Sequence, residues 1–158
     1  MVDYAITNKL TPFISMQNHY SLLYREEERE MFPMLKHFGV SSIPWSPLAR
    51  GSLTRPLSSE QSRRSEMDKL SANFYTSSSA GKEIVNRVEE IAKKRGISMA
   101  QVAVAWVLSM DGVSAPIVGT TSLANLADIV GAIHVQLTEK EIKSLEEPYQ
   151  PMAVIGQR

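Results

Sequence analysis

Three short apolar runs, Pro12 to Gln17 (PFISMQ), Val40 to Trp45 (VSSIPW) and Val113 to Val118, are each followed, directly or after a loop, by stretches in which apolar residues recur at helical spacing. Each run is too short for a helix and is bounded by turn-forming residues, which is the signature of a buried strand. Strands that alternate with helices pair in parallel through right-handed crossovers. A parallel sheet is in turn covered on both faces or closed into a barrel. The pattern therefore restricts the chain to an α/β fold. Three strands in 158 residues are few for a complete sheet, and the expectation is a part of a larger one.

The intervening segments read as helices with defined ends. Glu26 to Phe38 carries Met31, Met34, Leu35 and Phe38 on one face, with Pro33 in its first turn or at a kink and Gly39 as its C-cap. Arg50 to Ala80 has no sustained period and reads as a long, functional or disordered loop. Lys82 to Arg95 is helical through Ile84, Val88, Ile91 and Ala92, and Gly96 stops it. Ser98 and Gln101 have the spacing of a capping box for the next helix, AQVAVAWVLSM, which is apolar on nearly every side and should be buried. Thr121 or Ser122 caps a helix running to about Ile133, and Thr138 with Glu141 caps a last one that ends before Pro148. Residues 1–150 are expected to form one domain and residues 151–158 an irregular tail.

Composition excludes several functions. Without cysteine there is no disulfide, thiolate metal site or cysteine nucleophile. Equal numbers of acidic and basic residues, 17 each, argue against a nucleic-acid partner held by bulk charge. Lys93-Lys94-Arg95 suits a helix C-terminus, and the same solvated reading covers Arg63-Arg64. No second ligand is spaced beside His19 or His37, so no metal site is expected, and both are read as structural or exposed. The longest apolar run falls far short of the ~20 residues a membrane span needs, so no membrane role is expected. The first twenty residues show no secretory pattern, and the expected compartment is cytoplasmic.

Three segments resemble the C-terminal part of the aldo-keto reductases: QNHYSLLYREEEREMFPMLKHFGV (17–40), IPWSPLARGSLT (43–54) and PIVGTTSLANLADIVGAI (116–133). The flavour is that of fungal aryl-alcohol dehydrogenase-like members, which also resemble potassium channel β subunits. The family fold is a (β/α)8 TIM barrel of about 250 residues or more. By resemblance this chain supplies the last three βα units plus the C-terminal helix, with Asp3 to Asn8 as the last turn of the helix before them. The resemblance implies NADP(H) as coenzyme. Gln17 would hydrogen-bond the nicotinamide carboxamide, Trp45 would stack on the nicotinamide ring, and Ser46, Leu48 and Arg50 would meet the pyrophosphate. Thr121, Asn125 and Asp128 would line the adenosine end. Thr120 and Thr121 stand where many members place a basic residue for the 2′-phosphate, and Ile129 stands where an asparagine usually meets adenine.

The family's catalytic tyrosine, lysine, aspartate and histidine have no matching position here. The expectation is a truncated NAD(P)-dependent carbonyl/alcohol oxidoreductase that keeps part of a coenzyme site and is inactive alone. The alternative is an interaction or regulatory piece that pairs with a full-length or N-terminal aldo-keto reductase partner. Bland readings stand beside these. Gln17 could equally satisfy backbone groups of a buried strand, Trp45 could be a core aromatic, Arg50 a solvated charge, and Thr121 or Ser122 a plain N-cap. Open strand edges and lost packing partners, at ~2–5 kcal/mol for each core residue against ~5–15 for a domain, predict a marginal, association-prone chain unless those edges are covered.

Overall fold

The structure, a computed structural model, describes residues 1–59 and 75–154. The middle of the long loop read from Arg50 to Ala80, including Arg63-Arg64, lies outside the described residues, as do tail residues 155–158. A short helix, α1 (Val2–Thr7), opens the chain where a helix end was expected. The strands β1 (Ser15–Met16) and β2 (Ser41–Ser42) then pair in parallel, Ser15 beside Ser41 and Met16 beside Ser42. The same register continues to His19 beside Trp45. It is carried by the Ser41 N–H to Ile14 O bond (3.1 Å), Ile43 N–H to Met16 O (2.9 Å) and Trp45 N–H to Asn18 O (2.8 Å).

A third parallel segment joins on the other side of β2, with Val113 beside Ser42 and Ile117 beside Trp45. Two residues separate Ser42 from Trp45 but three separate Val113 from Ile117, so this segment carries one extra residue, a bulge. Pro44 and Pro116 have no N–H to offer a ladder. The three predicted strands are consequently shorter than their apolar runs, and Val113 to Val118 makes two bridges rather than a continuous strand.

Alternation along the strands gives the small sheet two different faces. Asn18, Ser42 and Pro44 point into the protein and are buried, with the Ser42 hydroxyl donating to Asn18 Oδ1 (2.6 Å). Ser15 and Gln17 are exposed on the opposite face, and Ser41, Ile43 and Trp45 there are only half-buried. Among the described residues, one face is covered and one is open.

The predicted helix from Glu26 is broken. Glu26–Glu28 forms a 3-10 turn, and α2 (Met31–Phe38) starts late enough to put Pro33 in its first turn, where no intrahelical N–H is required. Gly39, at φ 65°, closes it in the left-handed conformation expected of a C-cap. The helix α3 (Ser79–Arg95) begins three residues before its predicted start, because Ser78 accepts the Gly81 N–H, and Gly96 ends it. Helix α4 (Met99–Leu108) is buried along Met99, Ala100 and Val102 to Val107, as its all-round apolar pattern requires. Helix α5 (Leu123–Val130) is capped by Ser122 and tightens into a 3-10 turn over Gly131–His134, so the α-helix stops short of Ile133. Helix α6 (Glu139–Glu146) carries the complete Thr138–Glu141 capping box. The Ser98 box is only half made. Ser98 Oγ accepts the Gln101 N–H (3.0 Å), but the Gln101 side chain donates instead to the Asp128 carbonyl (2.8 Å).

The core joins Tyr20, Leu22 and Tyr24, which follow β1, to α3, α4 and α6 through Ile84, Val88, Val102, Trp106 and Leu145. The C-terminal segment is tied to the turn that follows β1. The buried Glu26 carboxylate accepts the Tyr149 hydroxyl and the Met152 N–H, both at 2.8 Å, and Arg25 lies over the rings of Trp106 and Tyr149. Large apolar side chains nonetheless remain outside. Ile14 is 80% exposed beside β1 and Leu123 86% exposed at the start of α5. No helix among the described residues is long and apolar enough to cross a membrane.

Candidate coenzyme-binding site

Because His19 and Trp45 are register partners on adjacent strands, their side chains leave the sheet side by side. The imidazole lies flat on the indole, with ring centroids 4.2 Å apart and planes 11° from parallel. Tyr24 stacks on the other face of the same imidazole, again at 4.2 Å and 11°. The Tyr75 hydroxyl hydrogen-bonds His19 Nε2 at 3.0 Å and its ring meets the imidazole edge-on. Burial first, and the charge of Arg50 second, push the His19 pKa down from 6.5 to about 4, so the ring is neutral at pH 7. The reading of His19 as structural or exposed thus divides: it is 5% exposed and sits against the candidate ligand-binding indole.

Immediately after Trp45 the backbone takes an unusual path. Ser46 (φ 57°), Ala49 (φ 46°) and Arg50 (φ 56°) are all left-handed without being glycine, and Gly51 follows at φ 99°. Such a residue costs on the order of 1–3 kcal/mol and persists only where its surroundings impose it. Here the Ala49 N–H to Ser46 O and Gly51 N–H to Leu48 O bonds, both 2.9 Å, wind the loop. Ala49 and Leu53, fully buried, anchor it. Tight turns of this kind present backbone N–H groups as an anion-binding concavity. Arg50 adds an exposed guanidinium whose field reaches His19.

The remaining candidates are Thr121, just before α5, and Asn125 and Asp128 on it. Thr121 and Asn125 are exposed, and the Asn125 N–H is received by the Ser122 hydroxyl (3.3 Å), which decides the cap in favour of Ser122. Asp128 is half-buried and its Oδ2 accepts the Ser98 hydroxyl (2.6 Å), so its carboxylate ties α5 to the start of α4. Ile129 is buried with Ala100, Val104 and Ala132. Leu48 packs against both this cluster and the main core, which joins the strained loop to α5.

Gln17, on the open face, and Trp45 therefore share one side of the sheet, with Ser46, Leu48 and Arg50 on the loop leaving it. Asn125 and Asp128 stand on α5 and Thr121 just before its cap. Sequence reasoning missed Tyr24 and Tyr75 as supports of this site. The signal available was the density of rings around two strand ends, His19, Tyr20, Tyr24 and Trp45. No group of three or more His, Asp or Glu among the described residues could hold a metal ion.

Comparison with known proteins shows the family. The sequence matches the aldo/keto reductase family over residues 2–150. It is similar to versiconal hemiacetal acetate reductase of Aspergillus parasiticus, 48% identical over 152 residues that make up 95% of this chain and 44% of that protein. A protein of Schizosaccharomyces pombe assigned by name to the aryl-alcohol dehydrogenases is 48% identical over 92% of this chain and 41% of its own length. An aldo-keto reductase of Fusarium vanettenii is 42% identical over 99% of this chain and 42% of its own length. The chain thus spans about two fifths of the curated relatives it matches, and its α/β fragment with parallel strands is consistent with part of the family's (β/α)8 fold. This chain belongs to the aldo/keto reductase family.

Proposed function

We propose that the chain is the coenzyme-holding, C-terminal part of an NAD(P)H-dependent carbonyl/alcohol oxidoreductase of aryl-alcohol dehydrogenase type, located in the cytoplasm. In this reading its strands are the last three of an eight-stranded barrel. The observation that carries it is the juxtaposition of an open sheet face bearing Gln17 and Trp45 with a strained, left-handed loop directly after Trp45. A nicotinamide coenzyme supplies the hydride in such reactions. Trp45 offers the nicotinamide a flat surface, and Gln17 can donate to and accept from its carboxamide, which fixes the face presented to substrate. Ser46, Leu48 and Arg50 on the loop meet the pyrophosphate, and Thr121, Asn125 and Asp128 face the adenosine end. The family's catalytic tyrosine, lysine, aspartate and histidine have no matching position in this sequence, which supports a chain that holds coenzyme without turning it over.

The first expected outcome follows directly. Purified chain quenches or enhances NADPH fluorescence on titration, Trp45→Phe weakens that signal, and no NADPH is consumed with an aryl aldehyde at 340 nm. Turnover would overturn the proposal, as would NADPH and NADH both giving no signal at millimolar concentration. A second reading, pairing with an N-terminal aldo-keto reductase partner, is favoured by the exposed Phe13 and Ile14 beside β1 and by Leu123 and Ile133 at α5. Co-elution with such a partner and tighter coenzyme binding would support it, and no association at micromolar concentration would not.

A further inference from the structure

We infer that His19 is a positioning residue, and that Tyr24, His19 and Trp45 form a prebuilt stack, locked by Tyr75, that holds the indole as a rigid plate with only one face available to a planar ring. The identity of that ring as a nicotinamide rests on the function proposed above, but the plate itself does not. Four observations meet here. The parallel register fixes His19 and Trp45 as neighbours, and backbone bonds hold Trp45 at both ends, its N–H to Asn18 O (2.8 Å) and its carbonyl from the Tyr20 N–H (3.4 Å). The imidazole lies on one face of the indole, 4.2 Å away between centroids and within 11° of parallel. Tyr24 backs the imidazole, so it cannot retreat from the indole. The Tyr75 hydroxyl bonds Nε2 and fixes rotation about the ring's own axis. Trp45 itself stays half-buried, leaving indole surface accessible on the open side of the sheet.

A rigid plate lowers the ordering cost of docking a flat ligand, since one large side chain need not be immobilised on binding. An imidazole suits the place better than an aliphatic side chain, because it combines a flat face for stacking with an edge atom for Tyr75. His19 touches neither coenzyme nor substrate in this arrangement. Its effect passes through Trp45.

The test uses the whole chain and time-resolved tryptophan anisotropy, with a Trp45→Phe partner for each variant to subtract the signal of Trp106. The Trp45 signal in the unsubstituted chain should decay only with overall tumbling. His19→Leu, which fills the space without a flat ring, should add a sub-nanosecond component and weaken NADPH binding about tenfold. His19→Phe, which restores a flat ring, should remove the fast component. Tyr75→Phe should loosen the indole when His19 is present and do nothing further in the His19→Phe background. An indole equally rigid with His19→Leu, or not rescued by His19→Phe, overturns the inference. If His19→Leu does not fold, the Tyr75→Phe pair decides alone, and additive loosening in both backgrounds overturns it. Rigidity that depends on His19, with no NADPH signal in any variant, upholds the plate and removes the coenzyme reading instead.

Discussion

His19 gives one residue an acid-sensitive role in holding the fold together. Its pKa is about 4 in the folded protein, chiefly through burial, against an ordinary 6.5 when unfolded. Between those values the unfolded chain takes up a proton that the folded one refuses, so stability is full above pH 6.5 and falls as the pH drops towards 4. The loss attributable to this one group is about 3 kcal/mol at most. Urea titrations at pH 7 and pH 4.5 should show it, and His19→Phe should flatten the difference to the part owed to the carboxylates. Among those, Glu141 is held down to about 2, first by its bidentate pairing with Arg95, so its contribution is lost only at lower pH. The two groups therefore report on separate pH ranges. Nothing in the spacing of the sequence announces His19, because a histidine just past an apolar run reads the same whether it is packed or liganded. Strand register, which sequence does not fix, is what brings it to Trp45.

The elements were legible in proportion to how local their causes are. Gly39 and Gly96 cap their helices, at φ 65° and 66°, because a left-handed residue after a helix is a nearest-neighbour requirement. The Thr138–Glu141 box and the buried α4 were visible for the same reason. The break at Glu26–Glu28, the bulge after Val113 and the left-handed Ser46, Ala49 and Arg50 were not, since each is imposed by contacts distant in sequence. Gly81 shows how such a contact reaches the site. A Cβ there would lie 2.1 Å from the Tyr75 carbonyl oxygen, a backbone atom that cannot swing aside. Gly81→Ala should cost about 1–3 kcal/mol by overpacking and displace Tyr75 from His19. A lower melting temperature together with a freer Trp45 would confirm that linkage. Wild-type melting would contradict it.

At the scale of the whole molecule, the open sheet face and the exposed apolar residues at both sides make a chain that is incompletely covered. Ile14 (80% exposed) lies beside β1 and Leu123 (86% exposed) at the start of α5, and exposed apolar residues of this kind promote association. Sedimentation should show mass rising with concentration, and Ile14→Lys with Leu123→Glu should shift the population towards monomer without altering the helical circular dichroism. An unchanged mass distribution would place the association elsewhere. The partial (β/α)8 barrel inferred from sequence is consistent with this picture in its parallel order. The left-handed loop after Trp45 has a separate consequence. Its shape is not one that its own residues prefer, so it has to be remembered by the packing of Ala49, Leu48 and Leu53 beneath it. Grip on an anion would then decline gradually as the interior slackens, well before the chain unfolds, and a change far from the ligand would be felt first as weaker affinity.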